Sequence, residues 1–266
     1  MTRRYELSDA QWARLEPLLP PEKPWTGRPN DDHRRILNGI LWILNSVARP
    51  AAARVGTVSS RFYRWRRSGV WQHVLEALQA LADTQGRVGW ELHFLDSTVV
   101  RAHQHAAGAR KTGREPGAEA LGRSRGGFTT KIHLRCEGYG KPVIFTVTGG
   151  QVHDTRQVSA LISRGAIRRI GRGRPRLRPT KLVGDKAYSS RSIRLALRRR
   201  GITPVIPTKA NERRQPDFDR EAYRQRNIVE RLINRLKQWR RIATGYEKRA
   251  SNDLAMLTVV AILLWF

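Results

Sequence analysis

The apolar positions of residues 1–88 recur every three or four residues, a period typical of short amphipathic helices. Ser8 and Gln11 have the spacing of a capping box, and apolar residues follow on one face of the helix that this pair begins. Further helices are predicted over residues 33–44, 57–67 and 70–83. Short helices joined by tight links predict an all-helical, helix-turn-helix-like N-terminal domain.

From Trp90 onward, short runs of β-branched and aromatic residues alternate with helical patterns. Strands are predicted over residues 91–100, 128–136, 141–150, 181–185 and 203–207. Helices are predicted over residues 154–165, 189–201 and 219–242. The Gly-rich stretch 102–127 predicts a loop insert, and the apolar tail 254–266 is too short to span a bilayer and predicts a buried helix or strand. This order predicts an α/β domain with a mixed sheet over residues 89–266.

Charge changes this picture more than any other bulk property. The 266 residues include 51 Lys and Arg against 22 Asp and Glu, a formal net charge of +29. Such an excess is difficult to hold in a compact state without a polyanion, and nucleic acid is the first candidate. Frequent Arg codons in a GC-rich genome are an alternative source for part of it. Cys136 is the single cysteine, which excludes an internal disulfide and fits a reducing cytoplasm.

Two carboxylates stand at the ends of apolar runs. Asp96 follows one such run, and Asp185 ends a predicted strand just before a helix. Open α/β folds place their sites where strands end, so we expect the two side chains to converge. Taken singly, Asp185 is more typical of a helix N-cap, and Asp96 fits a turn at the end of a strand. Asp154 is a rival second carboxylate that ranks lower, because it starts a helical pattern and so predicts a capping role.

A third carboxylate, Glu230, lies on the predicted helix 219–242. Tyr223, Arg226, Glu230 and Lys237 are spaced by three, four and seven residues, which on one helix places them within a wedge of roughly 60°. Any amphipathic surface helix has the same appearance, so this spacing alone does not decide the function.

These segments resemble those of a known family. The pattern Tyr-x2-Arg-x3-Glu-x6-Lys, from Tyr223 to Lys237, is similar to the signature of bacterial insertion-sequence transposases of the four/five superfamily. LDSTVVRAHQHAAGARK resembles the family's first-aspartate segment, and GGFTTKIHL followed by VGDKAYSS resembles those that lead to its second aspartate. YELSDAQWARLEPLLP resembles its leading domain, so the resemblance covers nearly the whole chain.

The resemblance implies an RNase H-like catalytic domain with an Asp-Asp-Glu triad at Asp96, Asp185 and Glu230. It implies that these residues are also the ligands of Mg²⁺ or Mn²⁺, as two ions that serve phosphoryl displacement. The expected partner is double-stranded DNA, namely element ends and target, bound by a homodimer on the nucleoid in the cytoplasm. The expected reaction is cleavage of terminal inverted repeats and strand transfer.

One departure from the family pattern supports an alternative. The segment 45–58 is shorter than in the family and lacks its Trp-Arg-Asp run. On this alternative, the chain is a catalytically inactive, DNA-binding remnant of such a transposase. A structural protein that coats nucleic acid is a third reading, and binding without sequence preference would distinguish it.

Several basic and aromatic residues are candidate DNA contacts. Two lie on a possible recognition helix and two in a loop that resembles a minor-groove hook, although a basic helix surface over an aromatic core and a solvated loop explain them equally. Together with the motif residues the candidates are Arg61, Arg64, Arg172, Arg174, Tyr223, Arg226 and Lys237. His103 and His105 lack a third metal ligand nearby and are expected at the rim of the active site.

Overall fold

The computed structural model describes residues 5–22, 32–46, 55–107, 120–124, 127–212 and 215–266. Residues 47–54 of the shortened segment lie outside the described residues, as does most of the predicted insert 102–127. The N-terminal part contains the helices α1 (Asp9–Leu15), α2 (His33–Ser46), α3 (Val55–Arg67) and α4 (Val70–Thr84). Each corresponds to a helix predicted from the sequence.

The first two helices begin at side chains that satisfy their free backbone donors. Ser8 Oγ accepts a hydrogen bond from the Gln11 N–H at 3.2 Å, and Gln11 Oε1 accepts one from the Ser8 N–H at 3.0 Å. This completes the predicted capping box. Asp32 precedes α2, and its carboxylate accepts from the N–H groups of Arg34 and Arg35 at 2.8 and 3.2 Å.

Aromatic residues form the core of the N-terminal helices. The rings of Trp65 and Trp71 meet edge to face with centroids 5.1 Å apart, and the Trp71 indole donates to the Phe62 carbonyl at 3.2 Å. The apolar cluster continues across the sheet to Trp265, whose indole donates to the Pro142 carbonyl at 2.8 Å. The N-terminal helices and the sheet therefore share one core.

Within the described residues the sheet has seven strands. They are β1 (Leu92–Ala102), β2 (Gly122–Ser124), β3 (Gly127–Cys136), β4 (Pro142–Gly149), β5 (Lys181–Val183), β6 (Thr203–Val205) and β7 (Thr244–Gly245). Five of them form the main sheet in the order β4-β3-β1-β5-β6. β1, β3 and β4 are antiparallel neighbours, whereas β1, β5 and β6 are parallel. This is the mixed sheet that the order of the elements predicts.

The remaining helices connect the strands and cover both faces of the sheet. They are α5 (Gln104–Ala107), α6 (Val158–Arg164), α7 (Arg191–Arg199), α8 (Arg220–Arg224), α9 (Asn227–Lys237), α10 (Arg240–Ala243) and α11 (Ala250–Leu264). α6 and α7 pack on one face, where Leu95, Leu161 and Leu197 are fully buried. α9 and α11 share the other face with Phe94 and the N-terminal helices. Consecutive residues of β1 thus face opposite layers.

The prediction of a single helix over 219–242 is wrong, because three helices occupy this stretch. Between α8 and α9 the backbone tightens, and the N–H of Arg226 donates to the carbonyl of Tyr223 three residues earlier. α9 ends before Trp239, whose extended backbone precedes α10. Tyr223 therefore lies on a different helix from Glu230, so the four motif residues do not share one continuous helix as predicted.

The apolar tail forms α11, a buried helix, as predicted. None of the helices in the described part of the chain is long and apolar enough to cross a membrane. Asp253 lies in the first turn of α11 beside a small cavity that Arg241 also lines. Burial raises the pKa of Asp253 to about 8, and the negative charge of Glu247 adds to this increase.

We expect Asp253→Asn to stabilise the protein near neutral pH. Between about pH 4 and pH 8 the native carboxyl keeps a proton that the unfolded chain releases, so stability falls by roughly 1.4 kcal/mol per pH unit as pH rises. A neutral amide removes this dependence. Denaturant unfolding at pH 5 and pH 7.5 measures the free energy of unfolding of both proteins. The assignment is contradicted if the stability of the variant relative to the parent is the same at both pH values.

Candidate active site

β1 has a continuous neighbour along one edge and an interrupted one along the other. β3 pairs with it from Phe94 to Arg101. On the opposite edge, β5 pairs with β1 up to Phe94 and β7 pairs with it from Arg101 onward. Among the described residues no strand opposes residues 95–100 on that edge, so the sheet has a gap beside Asp96.

Asp96 and Asp185 lie close to this gap. The parallel register ends with Phe94 paired to Val183, and each aspartate follows two residues further along its own chain segment. The charge of Asp185 contributes to raising the pKa of Asp96, so the two carboxylates are close enough to interact. Asp96 lies inside β1 rather than at its end, because the strand continues to Ala102, so its alternative assignment to a turn is wrong.

Backbone N–H groups hold one oxygen of each aspartate. Asp96 is buried, and its Oδ1 accepts from the Ser97 N–H at 2.8 Å. Asp185 Oδ1 accepts from the Ala187 N–H at 2.9 Å and caps a short 3-10 turn. Asp185 therefore has the capping role and the strand-end position together, and the two interpretations do not exclude each other.

Arg226 joins Glu230 to Asp96. Its guanidinium donates from Nη2 to Asp96 Oδ2 at 3.2 Å and from Nη1 to Glu230 Oε1 at 2.7 Å. The Glu230 side chain is 49% exposed, whereas that of Asp96 is 11% exposed. The guanidinium thus bridges a buried carboxylate on the sheet and an exposed one on α9, which brings three of the predicted site residues together.

The charges of Asp185 and Glu230 both act on the buried carboxyl of Asp96. The pKa of Asp96 is raised to about 6, first because burial disfavours the charged form and then because the charges of Asp185 and Glu230 repel it. The Ser97 N–H and the Arg226 guanidinium lower the pKa of Asp96, and they do not offset the increase. One guanidinium therefore leaves this site short of positive charge.

The residues suit a divalent cation by chemistry, although Arg226 stands between two of them. In the part of the chain that the structure describes, no group of three or more His, Cys, Asp or Glu side chains lies close enough to hold a metal ion. Three carboxylates nevertheless supply the hard oxygen ligands that Mg²⁺ and Mn²⁺ bind. The guanidinium shows that a cation is stable between Asp96 and Glu230.

Asp154 is not a helix cap, and that prediction is wrong. The side chain that caps the turn is His153, whose Nδ1 accepts from the Thr155 N–H. Asp154 Oδ1 instead accepts from Ser97 Oγ at 2.8 Å and pairs with Lys131 Nζ at 3.1 Å. Sequence reasoning missed Ser97 and Lys131, because no local spacing connects them with Asp154.

Other candidate DNA contacts lie on α8, on α9 and in a loop. Lys237 is exposed two turns beyond Glu230 on α9, roughly 10 Å along the helix axis. Tyr223 is half-buried on α8, where its ring packs on Phe218 with centroids 5.4 Å apart. Arg172 and Arg174 are exposed in the loop between α6 and β5.

Arg61 is a core residue, and its prediction as a DNA contact is wrong. It is 5% exposed, its Nη1 lies 3.0 Å from His33 Nδ1, and its guanidinium lies over the Trp65 ring. Arg64, one turn further along α3, is exposed. The helical pattern indicated an aromatic face but not how deeply each arginine is inserted beside it.

His103 and His105 form a ring stack rather than part of the carboxylate site. Their ring centroids are 4.9 Å apart, and His103 also stacks on Tyr246 at 4.6 Å. His103 follows the last residue of β1, seven residues beyond Asp96, which is roughly 20 Å along a strand. The two histidines therefore lie beyond the far end of β1 and not at the expected rim.

Two family models match the chain. A family described as "Transposase DDE domain" matches residues 91–265, which include the whole sheet and all three carboxylates. A family described as "Putative transposase of IS4/5 family" matches residues 7–75, from the start of the N-terminal helices to the beginning of α4.

Individual proteins are similar over parts of the chain. The uncharacterised protein y4sN of Sinorhizobium fredii is 39% identical over 119 residues, which cover 42% of this chain and 90% of that protein. The "Putative transposase for insertion sequence element IS402" of Burkholderia cepacia is 33% identical over 163 residues, covering 61% and 74%. The crystal structure of the BIV integrase catalytic core domain matches 64% of this chain and 83% of its own, with 17% identity and a TM-score of 0.33. A TM-score that low adds nothing to the strand order as evidence for the fold.

Arg61 and Arg64 form a matched pair for separating stability from DNA binding. We expect Arg61→Ala to lower the free energy of unfolding by about 1–3 kcal/mol, because it leaves a buried partner without its hydrogen bond. Arg64→Ala should keep the parent's thermal midpoint and weaken binding to duplex DNA. Thermal unfolding and salt-dependent DNA binding measure the two effects. Weaker DNA binding by a fully stable Arg61→Ala protein contradicts the buried role.

Proposed function

The chain belongs to the family of transposases with a DDE domain, and on that basis we propose that Asp96, Asp185 and Glu230 are its catalytic carboxylates. The proposed reaction is cleavage of DNA strands at the terminal inverted repeats of an insertion element, followed by transfer of the 3′ ends to a target. The supporting observation is the position of the three residues. Asp96 and Asp185 each follow the paired ends of β1 and β5 by two residues and interact electrostatically, and Glu230 is tied to Asp96 through Arg226.

Membership of the DDE family implies the use of divalent metal ions. We assign Mg²⁺ or Mn²⁺, as two ions, to Asp96, Asp185 and Glu230; when bound, they activate the attacking oxygen and stabilise the leaving one. The protein's own contribution is to position the ligands. The N–H groups of Ser97 and Ala187 each hold one aspartate oxygen and restrict the rotation of both carboxylates.

Arg226 has two partners in this proposal. In the free protein its guanidinium pairs with Asp96 and Glu230, at 3.2 and 2.7 Å. In the complex its planar donors match a DNA phosphate, which they bind in a bidentate way. The residue therefore holds the site together without DNA and contributes to binding when DNA is present.

The remaining DNA contacts follow the basic surface. Positively charged side chains attract phosphates and release counterions, which favours binding of double-stranded DNA to a chain of net charge +29. We assign this role to the exposed Arg64, Arg172, Arg174 and Lys237, and to Tyr223 as a positioning group on α8. Pairing of two element ends favours a homodimer on DNA, acting on the nucleoid in the bacterial cytoplasm.

The first test is the loss of cleavage without loss of binding. We expect Glu230→Gln, Asp96→Asn and Asp185→Asn each to reduce Mg²⁺-dependent cleavage to below about 1% of the parent rate, because each removes a charged oxygen ligand. DNA affinity should stay within about twofold, since phosphate contacts dominate it. A duplex with the inverted repeats that flank the gene serves as substrate.

Glu221→Gln is the matched control for Glu230→Gln. Glu221 lies on the neighbouring helix α8 and pairs with Arg224 at 2.9 Å on the surface. Its substitution should leave cleavage unchanged. Full cleavage by Glu230→Gln rules out the proposed triad, whereas specific DNA binding by a parent protein that never cleaves identifies the inactive remnant that the shortened segment 45–58 suggests.

A second test concerns the double role of Arg226. We expect Arg226→Ala to bind Mn²⁺ about tenfold more tightly in the absence of DNA, because the competing guanidinium is removed, and to bind DNA more weakly. Electron paramagnetic resonance measures free Mn²⁺ in the first case. Arg224→Ala, which removes only a surface pair, is the control. Unchanged or weaker Mn²⁺ binding by Arg226→Ala refutes the role as internal counter-ion.

A further inference from the structure

A polar cluster lies behind the carboxylate site, on the face of the sheet that α6 covers. Ser97 Oγ donates to Asp154 Oδ1 at 2.8 Å, and Lys131 Nζ lies 3.1 Å from the same oxygen. The side chains of Asp154 and Lys131 are 17% and 13% exposed. Lys131 also donates to the carbonyl of Val152 at 2.8 Å, just before the turn that contains Asp154.

The charge in this cluster is balanced by Lys131. His133 Nδ1 lies 3.6 Å from Asp154, but burial lowers the pKa of His133 to about 4, so the ring is neutral at physiological pH. A largely buried ion pair of this kind adds little to stability, since desolvation of both charges offsets their attraction. Folding alone therefore gives a weak reason for a carboxylate at position 154.

Ser97 connects this cluster to the site on the other face. Because side chains alternate along β1, Ser97 points toward the α6 layer while Asp96 points toward α9. The Ser97 N–H donates to Asp96 Oδ1, and the Ser97 hydroxyl donates to Asp154. This part of β1 faces the gap in the sheet, so β5 and β7 provide no ladder bonds that hold its rotation there.

Tyr188 links Asp154 electrostatically to Asp96 and Asp185. Its phenol is almost fully buried on the α6 side. The pKa of Tyr188 is raised well above its ordinary value, first by burial and then by the charges of Asp154, Asp96 and Asp185. The charges of these three aspartates therefore all act on one buried phenol.

We propose that Asp154 is a positioning residue, which together with Lys131 holds Ser97 and thereby sets the orientation of the Asp96 carboxylate. The inference rests on the proposed function of Asp96. In this proposal Asp154 acts through Ser97 and not on DNA or metal directly, and the Ser97 hydroxyl and the Lys131 ammonium both bind its Oδ1. Asp154 affects the reaction by holding Ser97 of β1, which in turn orients Asp96.

The test uses the full-length protein and variants of both ends of the hydrogen bond. Asp154→Ala and Ser97→Ala break the bond, whereas Asp154→Asn and Ser97→Thr keep an acceptor and a hydroxyl. Mn²⁺ binding to the free protein, the Mg²⁺ dependence of cleavage, and kcat and KM for end DNA are measured beside the thermal midpoint. Asp83→Asn is the matched control, because Asp83 is a buried carboxylate in α4 that accepts from the Trp90 indole at 2.6 Å, remote from Asp96.

We expect Asp154→Ala and Ser97→Ala to weaken Mn²⁺ binding and to lower kcat by about tenfold to a hundredfold, as is typical when a group that orients a metal ligand is removed. KM for DNA should not change. Ser97→Thr should restore most of the activity and Asp154→Asn part of it, since the amide no longer attracts Lys131. Asp83→Asn should lower only the thermal midpoint.

Two outcomes overturn the inference while the proposed function stands. One is a parent protein that cleaves with Mg²⁺ and an Asp154→Ala protein with the same kcat and metal dependence. The other is a loss of activity that follows the thermal midpoint alone and that Asp83→Asn shares. If Asp154→Ala does not fold, Ser97→Ala and Asp154→Asn decide in the same way. A parent that neither binds Mn²⁺ nor cleaves DNA overturns the proposed function, and this inference with it.

Discussion

The parallel register between β1 and β5 is the constraint on which the site depends. It sets Phe94 opposite Val183, two residues before Asp96 and Asp185, and so starts both aspartates from neighbouring positions although they are far apart in the chain. A shift of one residue would turn every side chain of β1 to the other face and move Asp96 into the layer of α6 and α7. The apolar side chains that lock this register, Phe94 on one face and Leu95 on the other, therefore also determine where the carboxylates meet.

Acidic groups near a phosphate-binding surface repel DNA unless cations offset their charge. Here Arg226 pairs with both Asp96 and Glu230, and Lys131 pairs with Asp154. Burial nevertheless raises the pKa of Asp96 to about 6, against the lowering effect of Arg226. Further positive charge at this site would stabilise the charged form of Asp96.

Sequence patterns predicted the helices and strands well where short-range interactions determine them. The capping box at Ser8, the four N-terminal helices, the main strands and the buried α11 all follow from contacts within a few residues or from periodic burial. The break near Arg226 had no Gly or Pro to indicate it, and the depth of Arg61 depends on how α3 packs against α2. Both predictions were wrong because helical periodicity does not determine where a helix breaks or how deeply a side chain is buried between packed helices.

The sequence by itself determined the order of the elements and, through its resemblance to a family, which three carboxylates we propose as catalytic. Only the tertiary structure decided that Arg226 reaches Asp96 across 130 residues of chain and that Asp154 reaches Ser97 across 57. Caps and amphipathic periods depend on neighbours along the chain, so they can be read from it. Contacts across a sheet depend on which strands pair and in which register, and that choice is made by the packing of the whole core.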